Sequence, residues 1–472
     1  MELEASLAEE NGNERQKTTA RRQQSSRSGG QRNSQLQSLG EEGQATSEMR
    51  ETITAEQKGR RRLEKNWTLV AAAERDGVGL LGVWRRLDRE QEKARLESKV
   101  FNVKSYGAVA NGNTDNSVAF LKAWNDACNW NGKAQVFIPK GTYMLNSIVF
   151  KGPCKAFRMG FVIKGILKAP PYPSLFNTDK WIGFLYVNKL TLSGGGTLDG
   201  QGASSWPHNN CNKDPHCPTL PITVRFDFIN NGKIHDLKSI NPKGGHFMIF
   251  GSENVKLERL KISAPGDSPN TDGIKIGESN NINITSATIA TGDDCIAMIS
   301  GAKNITIFGV HCGPGHGISV GSLGKNDGEK DVQNIVVKNC TFSGTSNGLR
   351  IKTWAASLSK PLRASNFLFQ DIFMDKVFSP IIIDQAYCPS HGCSNQVASS
   401  VQISDVTYKN IKGSGSSEIG VELNCSKRKP CQNITRVDIN LRPYGGKGQL
   451  KSLSSFVNGA CYGQQIPPSC VG

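Results

Sequence analysis

From residue 180 onward a short phrase recurs, a polar Asn or Ser followed by alternating apolar residues. It reads Asn188-Lys189-Leu190-Thr191-Leu192, Asn254-Val255-Lys256-Leu257, Asn281-Ile282-Asn283-Ile284, Asn304-Ile305-Thr306-Ile307 and Asn334-Ile335-Val336-Val337. Asn366-Phe367-Leu368-Phe369 and Val401-Gln402-Ile403 continue it. The steps from Asn254 to Asn281, Asn304, Asn334 and Asn366 fall within the range of roughly 20–50 residues that marks a solenoid. Strands of three to six residues at that period predict an all-β solenoid whose coils stack parallel strands. Ile, Val, Leu and Phe fill the inside, and the corner Asn side chains can hydrogen-bond along the stack. A leucine-rich frame is absent, and a β-sandwich is the competing architecture. Ser117 to Trp130, with Val118, Phe120, Leu121, Trp124 and Cys128 on a helical period, is expected to form a helix that caps the first coil. Glycine, 50 of 472 residues, exceeds the usual ~7 % and fits many tight turns.

The composition changes at residue 100. Residues 1–100 hold 19 Lys/Arg and 17 Asp/Glu with neither Cys nor Pro. Residues 101–472 hold the other 38 basic and 24 acidic residues, a net +14, and all 13 Cys. The first segment is too polar to form a core and is expected to be a disordered extension, apart from one amphipathic stretch over Gly79 to Lys99. Its near-balanced charge argues against a nucleic-acid tail. No run of 18 apolar residues is present, so no membrane-spanning helix is expected. Met1 is followed by Glu2 and Glu4 without an apolar stretch, so no secretory signal is visible. The cysteines nevertheless point to an oxidising compartment. Cys211/Cys217, Cys388/Cys393, Cys425/Cys431 and Cys461/Cys470 come as close pairs, at gaps too wide for a zinc site. Proximity along or across a coil pairs Cys295 with Cys312, Cys425 with Cys431 and Cys461 with Cys470, leaving Cys340 as the odd thiol. Sequons occur at Asn66, Asn283, Asn304, Asn339, Asn424 and Asn433.

In a solenoid, residues one coil apart lie ~4.8 Å apart on the same face. Four motifs meet that test: Asn270-Thr271-Asp272-Gly273-Ile274, Gly292-Asp293-Asp294-Cys295, Gly315-His316-Gly317-Ile318-Ser319 and Arg350-Ile351-Lys352. The step from Asp272 to Asp293 is nearly equal to that from Asp294 to His316. Three coils would gather three carboxylates and an imidazole, and Arg350 and Lys352 would follow one longer coil on. Strict alternation gives Asp272 the inward parity of Ile274 and Ile276, so the flanking glycines are expected to allow bends or bulges there. Glycoside hydrolysis needs one protonated carboxyl and one ionised carboxylate. Crowding three carboxylates would keep a proton on one of them. Arg350 and Lys352 suit a substrate carboxylate, and the +14 balance would attract a polyanion.

At these four motifs the chain resembles the polygalacturonases, pectin-hydrolysing glycoside hydrolases with a right-handed single-stranded parallel β-helix. The resemblance runs from Phe101-Asn102-Val103-Lys104-Ser105-Tyr106-Gly107-Ala108 to the C-terminal cysteines. It implies that Asp293 is the general acid, that Asp272 and Asp294 activate water, and that His316 tunes the acid. It also places Asn270, Arg350, Lys352 and Tyr387, of Asp384-Gln385-Ala386-Tyr387-Cys388, on the substrate. It implies inversion of configuration, no metal or other cofactor, and a secreted monomer acting on an acidic polysaccharide, with no nucleic-acid or membrane partner. Cys217-Pro218-Thr219-Leu220-Pro221-Ile222-Thr223-Val224-Arg225-Phe226 is most similar to plant exo-acting members. Members usually have a signal peptide just before the position of Phe101, where this chain carries its polar hundred residues. Two alternatives stand beside this reading: a calcium-dependent pectate lyase, and a non-catalytic pectin-binding wall protein.

Overall fold

The computed structural model describes residues 97–472 except 173, 175, 177, 210–219, 390–396, 447, 469, 471 and 472. The expected disorder of residues 1–100 lies almost wholly outside them. From Ser98 onward the chain winds as a parallel β-helix. Among the described residues the strands form one sheet of 11 strands and one of 22, and every coil between the first and the last contributes to both. The 11-stranded sheet carries the site. Its central strands are β1 (Ile274–Gly277), β2 (Ile296–Met298), β3 (Ile318–Leu323), β4 (Asn347–Trp354) and β5 (Ser379–Tyr387).

Register follows the apolar pattern. Ile274, Ile296, Ile318, Leu349 and Ile381 pair in sequence, and all five are buried. Such pairing lets β-branched side chains stack in one dry column. Coil length is uneven. The coil from Ile274 to Ile296 and the next, from Ile296 to Ile318, are equal and short. Those from Ile182 to Val224 and from Ile381 to Val421 are nearly twice as long.

The corner asparagines behave as their recurrence predicts. Asn254, Asn281, Asn304, Asn334 and Asn366 all have positive φ, from 55° at Asn304 to 62° at Asn366, a left-handed conformation that Asn tolerates better than most residues. Their amides form a ladder. Asn281 donates to Asn254 at 2.6 Å, Asn334 to Asn304 at 2.8 Å and Asn366 to Asn334 at 3.2 Å.

The open end is closed by α1 (Ser117–Asn129), which buries Phe120, Ala123, Trp124 and Ala127. Trp124 packs on Phe150 and Phe184 and donates its indole N–H to the Lys151 carbonyl at 2.9 Å. A Cys128–Cys154 disulfide, not expected from spacing, ties the cap to the coil behind it. Cys295–Cys312, Cys425–Cys431 and Cys461–Cys470 are bridged as expected, and Cys340 is free and buried. Cys388 is also disulfide-bonded, whereas Cys211, Cys217 and Cys393 lie outside the described residues.

Candidate active site

The parity difficulty at Asp272 resolves in the turns. β1 and β2 begin at Ile274 and Ile296, so Asp272 and Asp294 each stand two residues before a strand. Alternation does not apply to them. Gly273 and Ile274 donate their amides to the carbonyls of Asp294 and Cys295, at 2.9 and 3.0 Å. This sets the Asp272 turn directly against the Asp294 turn. A side chain at Gly273 would bring its Cβ within 2.5 Å of the Cys295 carbonyl oxygen, so close stacking requires glycine. Gly317 (φ 85°) brings His316 back over the same column from the third coil. Beneath them the buried Thr271 hydroxyl accepts from the Gly292 amide at 2.9 Å, joining two of these turns. The Cys295–Cys312 bridge anchors the residue after Asp294.

The carboxylates have different surroundings. Asp293 Oδ1 lies 2.9 Å from His316 Nδ1 and accepts the Asp294 amide at 2.8 Å; its Oδ2 accepts from Asn270 Nδ2 at 3.3 Å. Burial pushes the Asp293 carboxyl up, but the His316 bond and the nearby cations together outweigh it and hold the group well below the usual carboxylate range. The same bond raises the imidazole above its ordinary value. Asp294, 2 % exposed, accepts from Ser319 Oγ at 2.7 Å and Arg350 Nη2 at 2.6 Å on Oδ1, and from Lys352 Nζ at 2.8 Å on Oδ2. Burial opposes its charge, yet Lys352 and then Arg350 keep it ionised below the normal value. Asp272 pairs with Lys275, whose Nζ lies at 3.2 Å. Burial foremost, and the negative charges of Asp293 and Asp294, push its carboxyl up against the pull of Lys275. Of the three carboxyls Asp272 alone is raised, by burial first and by its two charged neighbours second.

The outward-facing column of the sheet runs Lys275, Ala297, Ser319, Arg350 in register. Lys352 lies 5.2 Å from the centre of the Tyr387 ring, and Tyr387 packs edge-on against Trp354. All eight residues singled out by motif fall in one region, through contacts or shared register. Three further participants were not anticipated. Ser319 lies inside the third motif, and strand alternation could have found it. Lys275 could have been found the same way, one residue past Ile274. Asn209 donates to Asn270 Oδ1 at 3.1 Å across 61 residues, and no local signal marks it.

Donor atoms of Asp293, Asp294 and His316 lie within 4.8 Å of one another, a spacing open to a cation. Arg350 and Lys352 already compensate Asp294, so a metal there would face two positive side chains. A paired acid, an ionised carboxylate and a high-affinity carboxyl within one cleft fit proton transfer to and from a substrate.

The chain is similar to known proteins along most of its length. Residues 128–461 match the model of the glycosyl hydrolases family 28. An exopolygalacturonase of Platanus acerifolia is 45 % identical over 368 residues, covering 78 % of this chain and 97 % of that protein. One from Oenothera organensis is 43 % identical over 359 residues, covering 76 % and 98 %. A solved hyperthermoactive exopolygalacturonase of Thermotoga maritima superposes with a TM-score of 0.58 at 18 % identity, over 79 % of this chain and 96 % of that one; at that identity the likeness concerns the fold. The stacked turns of Asp272, Asp294 and His316 fall inside the matched span, and the chain belongs to family 28 of the glycosyl hydrolases.

Proposed function

We propose that this β-helix hydrolyses the α-1,4-galacturonosyl linkages of polygalacturonate from a chain end, outside the cell, with the β-helix as the whole catalytic unit. The observation that carries the reading is the stack of three carboxylates on two successive coils, His316 on the third, with Arg350 and Lys352 beside it. The exo-acting relatives and the disulfides support the mode and the location. Pectin lysis by a calcium-bound base finds less support, because two cations already occupy the ionised Asp294.

The chemistry divides as follows. Asp293 and His316 hold one proton between them across 2.9 Å. In the free site it rests on the imidazole. A leaving glycosidic oxygen at Asp293 receives it through the carboxyl as His316 passes its Nδ1 proton on; solvent then reprotonates the pair. On the other side of the sugar, Asp272 and Asp294 hold a water. Asp294 stays charged and orients it, while Asp272, with its raised proton affinity, accepts its proton. Arg350 and Lys352 are shared between Asp294 and the substrate carboxylate. With water attacking directly, acid and base stand about 6.5–9.5 Å apart and configuration inverts. The test is proton NMR of polygalacturonate during the first turnovers, with product sizing. Monomer with an initial β anomer is expected. An initial α anomer, or unsaturated products absorbing in the ultraviolet, overturns the reading.

A further inference from the structure

We infer that Lys275 forms a second carboxylate-binding subsite, across the scissile bond from Arg350 and Lys352, so that the enzyme selects for two consecutive free galacturonates. The inference rests on the proposed polygalacturonate hydrolysis and names its substrate more narrowly. Arg350 and Lys352 reach the catalytic cluster from the C-terminal coils and touch Asp294. Lys275 reaches it from the N-terminal side and touches Asp272 at 3.2 Å. Asp272 and Asp294 occupy equivalent positions before β1 and β2, one coil step of ~4.8 Å apart. The cations therefore stand at opposite ends of the cluster along the solenoid axis, Lys275 level with Asp272 and Arg350 two coils beyond Asp294, in the outward column Lys275, Ala297, Ser319, Arg350. Ala297 and Ser319, between the charged ends, are small and buried, and neither adds a charge.

Exposure supports a ligand role. The Lys275 side chain keeps 23 % of its surface accessible, against 12 % for Arg350 and 8 % for Lys352. Those two already share one buried acid, whereas Lys275 is paired with Asp272. When Asp272 takes a proton from water, its hold on Lys275 weakens, and the ammonium then needs another anion. A carboxylate on the sugar at that end supplies it. A polymer alternating acidic and neutral sugars leaves one of the two cationic ends unmatched, whereas a run of galacturonates fills both.

The experiment uses three trigalacturonates: the free acid, and two with a single methyl ester on one or the other residue flanking the cleaved bond. Each ester removes one charge-assisted contact and should lower kcat/KM of the wild type by about 10–100-fold. In Lys275→Gln one of the two ester penalties should shrink to less than about threefold while the other persists. Lys275→Arg, which keeps the charge, should retain both and serves as the folded control. A lysine that only tunes Asp272 would move the pH profile of Lys275→Gln yet leave both penalties in place, and that result overturns the subsite. So does a wild type indifferent to one of the esters. Absence of cleavage of all three by the wild type would instead count against the polygalacturonate reading itself.

Discussion

His246 gives a stability prediction that can be worked from its surroundings. The ring is 0 % exposed, as is Ser239, whose Oγ lies 2.8 Å from Nδ1. Nε2 is buried without a hydrogen-bond partner among the described residues. Burial, with no compensating acid, lowers the imidazole from 6.5 to about 3. The folded value is depressed, so as pH falls the unfolded chain takes the proton first. The contribution is intact above about 6.5 and is lost progressively toward about 3. Each unit is worth ~1.4 kcal/mol, so at pH 4.5 this one ring withdraws roughly 3 kcal/mol. His246→Asn keeps a polar atom near the Nδ1 position for Ser239 and removes the titration. Its lost ring atoms cost a further ~1–2 kcal/mol that does not change with pH. Guanidinium midpoints of both proteins at pH 7, 6, 5 and 4.5 read the difference, with the carboxylates acting equally in each. The variant should be the less stable at pH 7 and gain ~2–3 kcal/mol on the wild type by pH 4.5. A gap that is the same at every pH would refute the burial argument.

Three catalytic predictions follow from the contacts. Asp293→Asn should keep the fold and lower turnover by roughly 10²–10⁴; near-wild-type turnover in a folded variant removes Asp293 from proton delivery. In His316→Ala the proton must sit on Asp293 alone, so the alkaline limb of kcat/KM should move to lower pH and turnover fall about 10–100-fold. An unmoved limb would separate His316 from the acid. Asn209→Ala should free the Asn270 amide to turn and withdraw its donor from Asp293. The alkaline limb should then shift upward by about half a unit to one unit, with partial recovery in Asn209→Ser. Equal profiles in all three proteins would leave Asn209 without a part in the site.

Much of the fold was legible because the repeat is carried by two features that act locally. Inward Ile and Val define the strand, and a corner Asn tolerates the left-handed turn between strands. The site was legible for a related reason: where successive coils are equal in length, equal steps in sequence become neighbours in space. What failed to show was anything decided by where a strand starts. Parity points Asp272 inward, yet the ladder begins only at Ile274, and the turn before it obeys no alternation. The split of proton affinity was equally hidden. Asp272 and Asp294 have similar flanks in sequence, but Asp294 meets Arg350 and Lys352 from coils 56 and 58 residues away. Asn209 and the Cys128–Cys154 bridge depend on loops and a cap whose paths have no period.

The uneven coil lengths separate what this architecture can vary from what it cannot. Between Gly273 and Ile318 the coils are as short as any along this sheet. A residue inserted or removed there would slide every later side chain by one stacking position. Asp294 would leave the column of Asp272, and His316 would lose Asp293. Length there is therefore part of the chemistry. The long coils that stand before and after, Ile182 to Val224 and Ile381 to Val421, carry chain beyond what one turn of the helix needs. Chain added to or removed from that surplus leaves the register of β1, β2 and β3 in place. Changes in which part of a polymer the enzyme accepts can thus come from segment replacement in the walls, whereas changes of reaction would require point substitutions in a frame of fixed length.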